Sequence, residues 1–172
     1  MRKSYSFILG LVVLLLSATA VVNYRTNHRG QLLYHTYALA TPAPPVPDQR
    51  GLDATRATAE QAVLAQAERY LSAGQPDFAL TALRNYLADN AAVATDHTFL
   101  LAALSALRTG AYEASAAYLE DTSPTNPDRL WMTSLLQLRR ENLPGAARSL
   151  RQLRQDSAAH RFPVAALLAE IE

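Results

Sequence analysis

The chain has no cysteine in its 172 residues. That excludes disulfides, thiolate metal sites, a thiol nucleophile and the lipid-accepting cysteine of a lipoprotein, so a folded domain must stand on packing alone. Lysine is almost missing too: Lys3 is the single one among 16 basic residues, the rest being arginine. Formal net charge is only +1, which leaves no global field to draw the chain to nucleic acid. Glycine is scarce, with six residues, and none form a phosphate-cradling loop or a Gly-x-Ser-x-Gly elbow. His28, His35, His97 and His160 are scattered without metal-ligand spacing. Asp96 and His97 are adjacent, so on a helix they point to different faces. An enzyme, a metal site and a cofactor are therefore not expected.

One long apolar run is present. No charge occurs between Lys3 and Arg25, and Tyr5 and Tyr24 flank the run as interfacial aromatics do. Those twenty residues span ~30 Å as a helix, the thickness of a bilayer core. Residues 1–29 are thus expected to be a membrane anchor or, alternatively, a signal peptide with Ala18-Thr19-Ala20 as its small-residue cleavage site. The run continues through Val21 and Val22 and meets Arg25 and Arg29 directly, which favours the anchor. The positive-inside count is nearly balanced. A very short amino-terminal tail usually stays cytoplasmic, which places the remainder outside the cytoplasm. The expected location is the cytoplasmic (inner) membrane, with an extracytoplasmic, periplasmic domain.

Residues 30–53 contain Pro42, Pro44, Pro45 and Pro47, which cannot hold a helix and push their predecessors to extended geometry. The expectation is a Pro-rich linker acting as a semi-rigid stalk, the alternative being a docking motif for an aromatic groove.

From residue 54 the pattern changes to helical spacing with punctuation. Val63, Ala67, Tyr70 and Leu71 precede Gly74; Pro76 opens a second segment carrying Leu80, Leu83 and Leu87. Asp96 opens a third with Phe99, Leu100, Ala103, Leu104 and Leu107 before Gly110, and Tyr112, Ala116 and Leu119 carry a fourth. A fifth begins at Asp128 with Trp131, Leu135 and Leu138, a sixth at Pro144 with Ala146, Leu150 and Leu153, and Pro163 introduces a short last helix. Residues 74–79 and 110–115 read alike and lie 36 residues apart, a period typical of helical-hairpin arrays.

The fold class expected is therefore all-α: a helical-hairpin superhelix of about three hairpins plus a terminal helix over 54–172, preceded by one transmembrane helix. The pattern resembles a tetratricopeptide repeat (TPR) domain. Ala67 and Ala103 stand at that family's small position in the first helix, and Ala79, Ser115 and Ala146 at the one in the second. Gly74 and Gly110 match the turn, Tyr112 and Leu143 the aromatic position, and Pro127 the unit end. Pro76 replaces the turn aromatic in unit one, and Glu141 replaces the turn glycine in unit three, where the spacing shortens to about 31 residues. The plan also resembles bacterial membrane-anchored repeat proteins, a group of which assists translocation and envelope chaperones.

The resemblance implies a concave face built from the first helix of each hairpin. Its lining would be Glu68, His97, Leu104, Arg108, Trp131, Leu135 and Arg139, an apolar floor with flanking arginines that suits an extended or helical peptide. A second candidate is the basic row Arg148, Arg151 and Arg154, suited to phosphate, acidic headgroups or an acidic protein. The function these imply is a membrane-tethered protein–protein interaction module, an adaptor or scaffold. The alternative is a chaperone-like accessory that holds unfolded or translocating clients. The partner is a protein or peptide, with the membrane reached through the N-terminal helix and no nucleic acid.

Overall fold

The protein is described by a computed structural model at residues 17, 28–44 and 54–172. The described residues are all-helical and contain no strand. Their helices are α1 (Arg29–Ala38), α2 (Ala54–Ser72), α3 (Pro76–Asn90), α4 (Asp96–Thr109), α5 (Tyr112–Glu120), α6 (Pro127–Arg139), α7 (Leu143–Leu153) and α8 (Val164–Ile171), with 3-10 turns at Ala91–Val93 and Ser157–Arg161. Helices α2 and α3, α4 and α5, and α6 and α7 form three successive hairpins. The first helices of neighbouring hairpins also touch, α2 with α4 and α4 with α6, while α8 packs on α7 and α1 on α6.

Local chemistry sets the breaks. All three hairpin turns have one geometry: a residue in the left-handed region, Gly74 at φ 71°, Gly110 at φ 81° and Glu141 at φ 57°. At each turn the next residue's N–H reaches back five residues, Gln75 to Tyr70 O at 2.8 Å, Ala111 to Ala106 O at 2.8 Å and Asn142 to Gln137 O at 2.9 Å. This Schellman pairing satisfies carbonyls that the helix end would leave orphaned. At the helix starts, Asn126 accepts from Asp128 N at 2.9 Å with Pro127 beside it, and Asn142 accepts from Gly145 N at 3.0 Å. Side-chain caps of this kind contribute about 1 kcal/mol each.

Small residues sit where the helices cross. Ala67, Ala79, Ala103, Ser115 and Ala146 are fully buried. Ser115 lies close enough for its hydroxyl to donate to Ala103 O at 2.9 Å, across its own hairpin. Helix α4 is the centre of the molecule, with every residue from His97 to Leu107 buried. A helix buried on every side, its polar Thr98 and Ser105 included, can exist only where other helices surround it.

The region expected to be a linker departs from the sequence reading. Residues 29–38 are helical, and residues 30, 33, 34, 38, 41 and 44 are buried. The folded unit therefore includes 29–44, and the spacer reading of 30–53 is corrected over that stretch. The reason is a helical stripe (Gly30, Leu33, Tyr34, Tyr37, Ala38, Thr41) that the following prolines overshadow. Residues 45–53 and most of the expected anchor at 1–29 lie outside the described residues. Among those described, no helix is long and apolar enough to cross a membrane.

The docking of α1 is closely built. Glu141 accepts from Gly30 N at 2.9 Å and Gln31 N at 3.1 Å, so its carboxylate caps α1 from across the structure. A Cβ on Gly30 would lie 2.5 Å from Leu138 O and 2.7 Å from the Glu141 carboxylate. Tyr34 donates to Leu107 O at 3.1 Å, Tyr37 donates to the Glu170 carboxylate at 2.6 Å, and Arg29 donates to Glu170 O.

Two outcomes follow from this packing. Gly30→Val should cost about 2–3 kcal/mol, at the upper end of overpacking penalties because the obstruction is backbone; the check is a denaturant titration followed by circular dichroism. Leu104→Asp buries an unpaired charge in the centre of the array, a penalty comparable with the whole stability of about 5–15 kcal/mol. A melt of that variant should show no cooperative transition.

Candidate functional site

Of the residues expected to line an open groove, Arg108 and Trp131 meet the chain's own segment, Tyr37 and Thr41. Leu104 and Leu135 have no exposure and Trp131 has 1 %. They are core, and their reading as an open groove floor is corrected. The covering segment is α1 followed by a strap at 41–44.

The strap is held mainly through its backbone. Arg108 donates to Thr41 O at 2.8 Å and Arg161 to Ala43 O at 3.4 Å. The indole N–H of Trp131 donates to Thr41 Oγ1 at 3.0 Å. The indole itself stacks on Phe162 at 5.2 Å with 17° between planes, and meets Tyr37 edge-on at 6.4 Å. Arg139 does not reach the strap. Its guanidinium lies 5.0 Å over the Tyr112 ring, and that ring meets Tyr34 edge-on at 5.6 Å. Burial, with Tyr112 beside it, pushes the Tyr34 hydroxyl well above its ordinary range. Burial also lowers the Arg108 pKa.

A second set of polar groups lies across the three first helices. His97 on α4 is buried, with Nε2 3.6 Å from the Glu68 carboxylate on α2 and without a hydrogen-bond partner. Asp128 on α6 is buried and takes a bidentate pair from Arg161 at 3.0 and 3.1 Å. Glu60 on α2 is buried as well. One oxygen of its carboxylate accepts from Thr95 N at 2.9 Å, Thr95 Oγ1 at 2.8 Å and the Thr98 hydroxyl. A buried carboxylate at the start of α4 satisfies orphan N–H groups and meets the positive end of the helix dipole. Desolvation lowers the His97 pKa, opposed by the charges of Glu68, Asp128 and Glu60.

Sequence reasoning placed Glu68, His97, Arg108, Trp131 and Arg139 on one face, and missed Glu60, Asp128, Arg161 and Thr41. Glu60 carried a signal in its register, falling four residues before Leu64 on the buried stripe of α2. Arg161 carried none, because its place depends on a 3-10 turn. Among the described residues no group of three or more histidine, aspartate or glutamate side chains is arranged to hold a metal ion. Arg148 and Arg151 on α7 and Arg154 at its C-terminal cap are exposed.

The lowered His97 pKa gives a pH dependence. The unfolded chain binds the proton more readily than the folded one, so stability is full above the ordinary histidine value near 6.5. It falls as pH drops below that toward the depressed folded value. Chemical denaturation at stepped pH between 8 and 5 should show that loss, and His97→Gln should flatten it. Compared with known proteins, the chain matches no protein family, no curated protein and no solved structure.

Proposed function

We propose that the chain is a membrane-tethered protein-interaction module of TPR-like hairpins, positioned outside the cytoplasm and acting as an adaptor. The observation that carries this reading is the repetition of one construction across three hairpins. Each has a left-handed residue at its turn, and buried small residues fill the crossings at Ala67, Ala79, Ala103, Ser115 and Ala146. Arrays of this construction present extended surfaces to partners.

The expected mode of action changes in one respect. The face that would take a peptide in trans already holds residues 29–44. That segment starts seven positions after Val22, the end of the apolar run. The array is thus coupled closely to its anchor, without a long stalk, and partners meet the surface that the segment leaves open. Phe78 on α3, 60 % exposed beside Tyr70, is the largest exposed aromatic among the described residues.

Photo-crosslinking from intact membranes tests the reading, with the crosslinker at position 78 and, separately, at position 131. A single dominant protein adduct from 78 and none in trans from 131 is the expected result. A ladder of unrelated exported chains from 78 indicates the chaperone-like accessory instead. Strong trans adducts from 131 would show that the segment leaves the groove.

A further inference from the structure

The basic row on α7 borders a cleft at the end of the molecule where α1 begins. Leu143, Pro144, Ala147 and Ile171 give it an apolar floor, and Arg148 and Arg151 stand at its rim; its volume is about 440 Å³. The amino end of α1 is gripped by Glu141, two positions before Leu143, and by Glu170, next to Ile171. The cleft therefore adjoins the point where the chain leaves α1 toward the apolar run. Arg29 is seven positions beyond Val22, which places α1 within about 25 Å of the end of that run even if the connection is fully extended.

Of the two arginines lining the cleft, Arg151 is offset by Glu172, which also lines it, and Arg148 is not. Arg151 is paired with Glu172 through Nε at 3.1 Å and Nη2 at 2.8 Å, and both side chains are 53 % exposed. The Glu141 carboxylate is engaged by the α1 backbone and that of Glu170 by Tyr37. Arg140, Arg148 and Arg154 are exposed and have no side-chain partner among the described residues. Guanidinium groups match phosphate oxygens with two parallel hydrogen bonds, and Arg151 already directs Nε and Nη2 at one carboxylate oxygen of Glu172.

We propose that this cleft and the Arg148–Arg151–Arg154 row seat the headgroups of anionic phospholipids, fixing the array against the bilayer beside its own anchor. The inference rests on the membrane-anchored reading. The guanidinium groups meet headgroup phosphates, and Leu143, Ala147 and Ile171 meet the glycerol and upper acyl region. Interfacial position, apolar floor and arginine rim together favour lipid over an acidic protein segment.

Because the chain lacks cysteine, one probe can be placed cleanly. Full-length protein carrying Ala169→Cys, exposed one turn before Glu172, is labelled with a fluorophore. It is then reconstituted into vesicles of phosphatidylcholine alone or with phosphatidylglycerol, and quenched by lipids spin-labelled near the headgroup. Quenching should require phosphatidylglycerol, weaken with salt, and fall about tenfold or more in the R148Q/R151Q/R154Q variant, three surface charges near an anionic bilayer being lost. Circular dichroism of that variant should be unchanged, since all three residues are exposed. Equal quenching in neutral vesicles, or no effect of the triple substitution, overturns the proposal. So does protection of the probe by an added acidic peptide but not by phosphatidylglycerol, which would assign the surface to a protein. A chain that alkaline extraction strips from the vesicles defeats the anchor reading, and this inference with it. A chain that stays inserted with an unquenched probe defeats this inference alone.

Discussion

The Glu141 carboxylate on the first N–H groups of α1 is the contact on which the arrangement depends. Its backbone occupies the left-handed conformation that glycine fills at the other two hairpin turns. A side chain there costs about 1 kcal/mol or more. What offsets the cost is visible: two hydrogen bonds to α1, charge-assisted and directed at the positive end of a helix dipole. Gly30 is the complementary choice, because any larger residue would collide with Leu138 O and with the same carboxylate. The turn of the third hairpin and the start of α1 are therefore one device written at two distant places in the sequence.

Docking α1 converts what would have been a surface into interior. Trp131 is covered by Tyr37 and Thr41, and Arg108, Arg161 and the Trp131 indole bind the strap at Thr41 and Ala43. Three hairpins are close to the smallest number that bury a continuous core. An added helix and strap on one face, with α8 at the end, extend it. The polar groups among the first helices are mostly matched within this frame, Asp128 with Arg161 and Glu60 with the start of α4. His97 is the exception: its Nε2 has no hydrogen-bond partner, and burial lowers its pKa against the opposing charges of Glu68, Asp128 and Glu60.

Much of the array was legible in the sequence because its signals are local. Gly74, Gly110, Pro76, Pro127 and Asp96 mark helix ends through backbone geometry that needs no partner, and the apolar stripes between them follow a single period. The α1 segment was obscured for the opposite reason. Its stripe of Leu33, Tyr34, Tyr37 and Ala38 is short, sits between an apolar run and a proline cluster, and finds its partners far away in sequence on α4, α6 and α8. The candidate groove was legible as a face but not as an occupied one. Nothing near Arg108 or Trp131 in sequence records that Thr41, 67 and 90 positions earlier, accepts hydrogen bonds from both. Glu141 stands out in sequence only as a departure from glycine; its role is set by its distant donor partners, the backbone N–H groups of Gly30 and Gln31.

The central claim is that residues 29–44 belong to the folded array and close its face, where a flexible stalk would leave it open. Amide hydrogen exchange across that segment in the full-length chain addresses this directly. The account predicts that the amides of residues 33–38 exchange as slowly as those of α6, in one cooperative unit with it. Exchange at the rate of an unstructured chain, with α4 and α6 still protected, would contradict it and restore the open groove.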